Sequence, residues 1–233
     1  MSGSRFLEVT GGRLPGWVQR YVGARQGAAR AVVTATGFDL VGDDGSLASL
    51  ALLEPGGWAG CGPAPGTSVG VVADAVAQAG TVVSTEDLAV LLAAEAQTSR
   101  TLLVCLVRRG GWSVGVVRDG TVLTGKTGRR YVQGTTAAGG WSQQRFARRR
   151  GGQTDKLADD ASTALVRMME QAPGATGVVV GGDRRLAESV LAGTPAQTLP
   201  VLGPIEVGEP RRVDLDTAAA RVLSVRVTVH DAP

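Results

Sequence analysis

The stretch TLLVCLV at residues 101–107 is apolar throughout apart from its first threonine. A run of this length without polar alternation is typical of a central strand in a sheet that is covered on both faces. A turn at residues 108–111 leads into the alternating residues 112–118, and Asp119-Gly120 then indicates a hairpin before residues 121–124. The sequence therefore predicts a buried strand that is flanked by a hairpin.

Beyond residue 153 the pattern changes from strand to helix. Thr154 is a suitable N-cap for a helix that ends before Pro173-Gly174, and its apolar face consists of Leu157, Ala161, Leu165, Met168 and Met169. Residues 176–180 then predict a buried strand, and Gly181-Gly182-Asp183 a tight turn into a helix that runs to about Leu191. Hairpin strands, a crossing helix, a parallel strand and a second helix together indicate the α/β class.

The first 96 residues predict a smaller α+β region, to which the sequence assigns no role. Pro15 suits the first position of a helix over residues 15–25, in which Trp17, Val18, Tyr21 and Val22 should face inward. The glycine- and proline-rich residues 55–66 indicate a loop or a domain seam. Further strand candidates are residues 5–9, 31–35, 38–41, 47–53 and 222–229, further helices are predicted at 71–79 and 84–96, and residues 217–221 are a helix candidate. We divide the chain into residues 1–96 and residues 97–233.

Composition and the scarcity of catalytic side chains limit the kinds of reaction that the protein could catalyse. The chain has 233 residues, a formal net charge of +3 and one histidine, His230. Cys61 and Cys105 lack metal-ligand spacing, and Asp159-Asp160 indicates a solvated helix face because adjacent helical side chains diverge. Neither a histidine-dependent triad, nor a metal site, nor a cofactor is predicted, which leaves positioned amides and backbone dipoles for catalysis. With no signal stretch or transmembrane span in the sequence, we expect a cytoplasmic monomer without membrane contact.

The polar and basic residues concentrate in GTTAAGGWSQQRFARRRGGQ at residues 134–153, which contains two glycine pairs and three glutamines. No Asp or Glu occurs between residues 121 and 154. Because so many charges cannot be buried, we expect a projecting loop at residues 134–153, which a short strand at residues 130–133 would precede. Clustered arginines favour a polyanionic partner, and the predicted RNA-binding residues are Lys126, Arg129, Arg130, Arg145, Arg148, Arg149 and Arg150.

The glycine pair followed by RFARRR resembles the loop of eukaryotic and archaeal class I peptide-release factors, in which a Gly-Gly-Gln tip leads into Arg-Phe-Ala-Arg. Gly139-Gly140-Trp141-Ser142-Gln143 is more similar to the Vms-type release factors, the peptidyl-tRNA hydrolases of ribosome quality control, and particularly to their actinobacterial branch. The likeness covers roughly the second half of the chain. It implies a ribonuclease-H-like release-factor catalytic domain at residues 97–233, with a mixed sheet and flanking helices.

The resemblance also implies an activity. A glutamine on a glycine-rich tip would hold a water against the ester of peptidyl-tRNA on the ribosomal large subunit, and a stalled nascent chain would be released. The residues that match the motif are Gly139, Gly140, Ser142 and Gln143, with the adjacent Gln144 as a substitute if the register differs by one. Gln153 completes a literal Gly-Gly-Gln, but it follows RFARRR instead of preceding it. A tRNA endonuclease that cuts near the acceptor end and a non-catalytic ribosome- or RNA-binding module are the alternatives.

Overall fold

The computed structural model describes residues 4–25, 29–34, 37–52, 82–83, 85, 89–90, 93, 99–130 and 141–231. Along them the elements are β1 (Ser4–Thr10), α1 (Leu14–Gly23), β2 (Ala29–Thr34), β3 (Gly37–Gly42), β4 (Leu47–Leu52), β5 (Val82–Val83), β6 (Thr101–Arg108), β7 (Gly111–Arg118), β8 (Thr121–Arg129), α2 (Trp141–Gln171), β9 (Gly177–Gly182), α3 (Arg184–Ala192), β10 (Val201–Ile205), α4 (Arg212–Arg221) and β11 (Ser224–His230). The strands form two sheets, with the orders β1-β11-β4-β3-β2-β5 and β10-β9-β6-β7-β8. The chain divides into two units, each with one of these sheets.

The apolar run at residues 101–107 is the central strand of the second unit, as the sequence predicts. β6 pairs antiparallel with β7 on one side and parallel with β9 on the other. Every residue from Leu102 to Val107 is buried. A mixed sheet with a fully buried central strand therefore confirms the predicted α/β class, because both faces of β6 are covered.

Helices pack on both faces of this sheet. α2 and α3 pack on one face, where the predicted apolar face of α2 joins a core that includes Leu103, Val114 and Val180. On the other face Leu215 of α4 lies against two glycines of the hairpin. A Cβ at Gly125 would lie 2.5 Å from Leu215 Cδ1, and a Cβ at Gly115 would lie 2.8 Å from the backbone oxygen of Thr124. These glycines let α4 approach the strands closely.

The first unit contains a separate antiparallel sheet and a small core. Val18 and Tyr21 of α1 are buried, while Trp17 and Val22 are partly buried against the same core, which confirms the predicted inward face. The guanidinium of Arg25 lies 3.8 Å from the centre of the Tyr21 ring, a cation–π contact. The predicted loop at residues 55–66 and the predicted helix at residues 71–79 lie outside the described residues.

The start of α2 differs from the prediction. The helix begins at Trp141 and not at Thr154, so residues 141–153 are helical and not part of a loop. Gln, Arg and Ala are strong helix formers, and this local propensity outweighs the glycine pair and the charges that the sequence analysis took as signs of a loop. The expectation of a projecting loop at residues 134–153 is therefore wrong for its second part.

The C-terminal strand also differs from the predicted division of the chain at residue 97. β11 pairs with β1 and with β4, so it belongs to the first unit, whereas residues 100–219 belong to the second. Residues 217–221 lie in α4, as the helical alternative predicted. Pairing between the two ends of a chain is non-local, and no short-range sequence pattern predicts it.

None of the described helices combines the length and apolar composition that a membrane crossing requires.

Gly151 and Gly152 give a prediction about the stability of α2. Both lie within the helix, and a Cβ built on either has no atom within 4 Å. Replacing each with Ala should raise the free energy of unfolding of the helix by about 0.8–1.0 kcal/mol, because interior glycines lower helix stability. Circular dichroism at 222 nm during urea unfolding measures this change. Gly208→Ala is the control, since Gly208 has equally open surroundings outside the helices; a loss of stability in the α2 variants would contradict the prediction.

Candidate functional site

The first half of α2 forms an arm, residues 141–156, that carries most of the predicted site. The first residue of α2 with a described buried side chain is Leu157, and the helix rises about 24 Å along its axis between residues 141 and 157. Of the side chains described in the arm, none is buried, and Arg148 is exposed. The apolar face from Leu157 onward holds α2 on the sheet.

The candidate amides Gln143 and Gln144 lie with Ser142 in the first turn of α2. The first N–H groups of an α-helix have no acceptor within the helix. This end of the arm therefore combines amide-bearing residues with backbone donors that are free of helical partners. Gly139 and Gly140 precede the helix and lie outside the described residues.

Gln153 lies at a different place along α2 from the other two candidates. It is half-buried and lies in the interior of α2, about 15 Å along the axis from Gln143. The literal Gly-Gly-Gln at residues 151–153 is thus part of a continuous helix and not a tip. The structure separates this triplet from Gln143 and Gln144.

The base of the arm is tied to the end of β8 by Arg130 and Asp160. Nε and Nη2 of Arg130 donate to Oδ2 of Asp160 at 2.9 and 2.6 Å, and the backbone N–H of Arg130 donates to the backbone oxygen of Gly110 at 3.0 Å. From sequence, Arg130 is predicted to bind RNA and Asp160 to lie on a solvated helix face. Their contact joins residues 30 positions apart and has no local sequence signal.

The two other predicted cations of β8 lie on opposite faces of the sheet. Lys126 is exposed and stands opposite Val114 in the strand register, so it shares the face on which α2 packs. Arg129 lies on the other face, and its Nε is 3.6 Å from Oε1 of Glu209. Lys126 and Arg148 make no ion pair with a described residue, whereas the charges of Arg129 and Arg130 are partly balanced within the protein.

Among the described residues, Cys105 and His230 belong to elements other than α2. Cys105 is buried in β6, as predicted for a small core residue, and burial raises its pKa to about 12. A thiol with this pKa is protonated at neutral pH and is not a nucleophile. His230 is exposed in β11 of the first unit. Within the described ranges no three His, Cys, Asp or Glu side chains are grouped as a metal site requires.

Comparison with protein families gives one match, and it covers most of the second unit. The family model of the Actinobacteria/Chloroflexi VLRF1 release factor, acVLRF1, matches residues 100–228. This range is more than half of the chain, and it contains the arm together with β6 to β9. No significant match occurs among curated proteins.

Three solved structures are similar to this chain at low identity. The archaeal translation termination factor aRF1 matches at 14% identity and a TM-score of 0.35, over 53% of this chain and 36% of that one. The Vms1 mitochondrial localization core matches at 11% identity and a TM-score of 0.42, over 91% and 80% of the two chains. Pelota of Archaeoglobus fulgidus matches at 11% identity and a TM-score of 0.27, over 95% and 64%. This chain thus spans little more than a third of the aRF1 chain, and similarities of this degree do not identify a function.

The charge of the arm predicts a salt-dependent interaction with RNA. Replacing Arg148, Arg149 and Arg150 together with Ala should weaken binding to RNA and flatten its salt dependence, because each lost phosphate contact lowers the slope of log K against log salt by about 0.7–0.9. Binding to tRNA across a potassium chloride series measures both effects. Replacing Arg20, Arg167 and Arg226, which are exposed outside the arm, removes the same charge as a control. An unchanged slope in the arm variant would refute a phosphate role.

Proposed function

Because the chain belongs to the VLRF1 release-factor family of Actinobacteria and Chloroflexi, we propose that it is a peptidyl-tRNA hydrolase that acts on ribosomal large subunits. It would release nascent chains from subunits that have stalled. The observation that carries this proposal is the arm, in which two glutamines occupy the first turn of a helix whose first ten residues include four arginines and no acidic residue. Peptidyl-tRNA and ribosomal RNA are its proposed partners.

The reaction needs a positioned water more than a strong base. A glutamine amide both donates and accepts hydrogen bonds, so it can orient a water molecule toward the ester carbonyl. The water oxygen bonds to the carbonyl carbon, the ester bond to the ribose oxygen breaks, and this oxygen takes up a proton as the peptide acid forms. N–H groups at the start of α2 are suitable donors to the oxyanion of the intermediate. Gln143, which follows Gly-Gly-x-Ser, is the proposed positioning amide.

The basic residues of the arm have a separate role in this proposal. Arginines bind phosphates and fix orientation without reading sequence, which suits a factor that must act on many different peptidyl-tRNAs. The helix rises about 24 Å along its axis from Trp141 to Leu157, and the arginines of the arm lie within this length. Arg145, Arg148, Arg149 and Arg150 lie on the arm, and Lys126 lies on the sheet face shared with α2.

The proposed activity predicts the identity of both reaction products. Purified protein is mixed with large subunits that carry peptidyl-tRNA labelled on the peptide and on the tRNA. We expect free peptide and intact deacylated tRNA. A peptide that still carries terminal nucleotides would identify a tRNA endonuclease instead, and binding without release would identify a non-catalytic module; either result would overturn the proposal.

The assignment of Gln143 as the positioning amide predicts different effects for substitutions of different glutamines. Gln143→Ala should lower the single-turnover release rate by about 10²–10³-fold, the usual effect of losing one contact to the reacting atoms, and leave binding to large subunits unchanged. Gln153→Ala should retain the rate, because Gln153 is half-buried inside α2. Gln171→Ala, at the opposite end of the same helix, is the control. Full activity of Gln143→Ala together with loss in Gln144→Ala or Gln153→Ala would move the role to that residue.

A further inference from the structure

The edge of the second sheet at which β6 and β9 end has the topology of a ligand site. β6 and β9 are adjacent and parallel, so their carboxyl ends lie side by side. The chain leaves them in opposite directions, because β7 lies on the far side of β6 and β10 on the far side of β9. Open α/β sheets bind ligands where the connections diverge in this way. Together, residues 108–110 and 182–185, which end and follow the two strands, form the strand-end surface.

Arg108 has a fixed position on this surface. Its Nη1 donates to the backbone oxygen of Val207 at 3.1 Å. Gly182 has a φ of 91°, and a Cβ there would lie 2.8 Å from Cγ of Arg108. The glycine therefore leaves room for the arginine side chain beside the end of β9. The bond to Val207 uses one N–H donor of the guanidinium and leaves the others for a further acceptor.

The arginines of the strand-end surface carry positive charge that their neighbours do not balance. Arg109 and Arg185 are exposed like Arg108, and none of the three forms an ion pair with a described residue. Arg184 pairs with Glu188 at 2.9 Å. Arg184 and Arg185 also lie in the first turn of α3, which contains no acidic residue and where the helix dipole disfavours positive charge. A bound anion would lower this electrostatic cost.

The carboxylates of this edge do not bind these arginines. Asp183 caps α3 through its own side chain, so the start of the helix is not itself the site. Glu209 forms the ion pair with Arg129. Glu206 is exposed beyond the end of β10, and it forms no ion pair with Arg108 although Arg108 bonds to the adjacent residue. The guanidinium of Arg108 thus has a carbonyl partner and no carboxylate partner among the described residues.

The strand-end surface lies beside α2. The backbone oxygen of Gly110 accepts the backbone N–H of Arg130 at 3.0 Å, and the side chain of Arg130 pairs with Asp160 of α2 at 2.6 Å. The turn between β6 and β7 and the helix α2 are therefore in contact with the same residue. The surface is adjacent to the helix whose first half is proposed to bind RNA.

We infer that the strand-end surface binds backbone phosphates of RNA through Arg108, Arg109 and Arg185, as a second contact besides the arm. The inference rests on the proposed function, because ribosomal RNA and peptidyl-tRNA are its proposed partners. Guanidinium groups bind phosphate oxygens with paired hydrogen bonds, and a group that is already held in place loses less entropy on binding. All three side chains are exposed, which suits the phosphates of a large, solvated chain.

The test measures binding of the full chain to large ribosomal subunits that carry peptidyl-tRNA, by co-sedimentation across a potassium chloride series. Replacing Arg108, Arg109 and Arg185 together with Ala should flatten the slope of log K against log salt by about two units, since each lost phosphate contact removes about 0.7. Affinity at about 0.1 M salt should fall about tenfold to a hundredfold. The control of the arm experiment, which loses three exposed arginines elsewhere, should keep the wild-type slope.

A second variant separates binding from folding. Arg109→Ala with Arg185→Ala removes no described hydrogen bond or ion pair, so its fold and Tm should be those of the wild type. Its salt slope should still flatten by about 1.4 units. Single-turnover release at saturating protein should be unchanged in both variants, because these arginines bind RNA and do not contact the ester.

The outcomes distinguish the inference from the proposed function. Wild-type slopes in both variants would overturn the inference, and so would a wild-type protein that does not bind large subunits. If the wild type binds without releasing peptide, the hydrolase role fails; flattened slopes in the two variants would then still support the strand-end surface.

Discussion

The complete burial of β6 at the centre of its sheet is the constraint on which the second unit depends. A strand with six consecutive buried residues is stable only when apolar side chains cover both of its faces. α2 and α3 supply one cover, and Leu215 of α4 supplies part of the other against Gly115 and Gly125. The arm is therefore continuous with a helix that covers this strand.

α2 both covers β6 and carries the arm. From Leu157 onward its apolar face belongs to the core, and before Leu157 none of its described side chains is buried. A single helix thus connects the core to the residues of its own first turn. A glutamine in the first turn is held by the same backbone hydrogen-bond ladder that continues into the sheet-packing half, which a flexible loop could not provide.

Local patterns predicted much of this architecture, and non-local contacts account for what they missed. The strand at residues 101–107 and the apolar face of α2 follow from periodicity, which a linear sequence displays directly. The predicted start of α2 was wrong because solvated arginines and a glycine pair are typical of loops. In the sequence these features are easier to recognise than the helix propensity of the same residues, although the propensity decides the structure. The pairing of β11 with β1, and the contact of Arg130 with Asp160, join distant residues that carry no shared pattern. Gly139 and Gly140 lie outside the described residues, so only the sequence motif supports their assignment to the site.

The two adjacent glycines within α2 have a mechanical consequence. Gly151 and Gly152 lie a short distance before Leu157, and a Cβ on either would have no atom within 4 Å. Interior glycines weaken a helix, so local opening of α2 costs less free energy at these two positions than it would with alanine there. The pair is thus a weak link in an otherwise continuous backbone ladder, ahead of the half that the core holds.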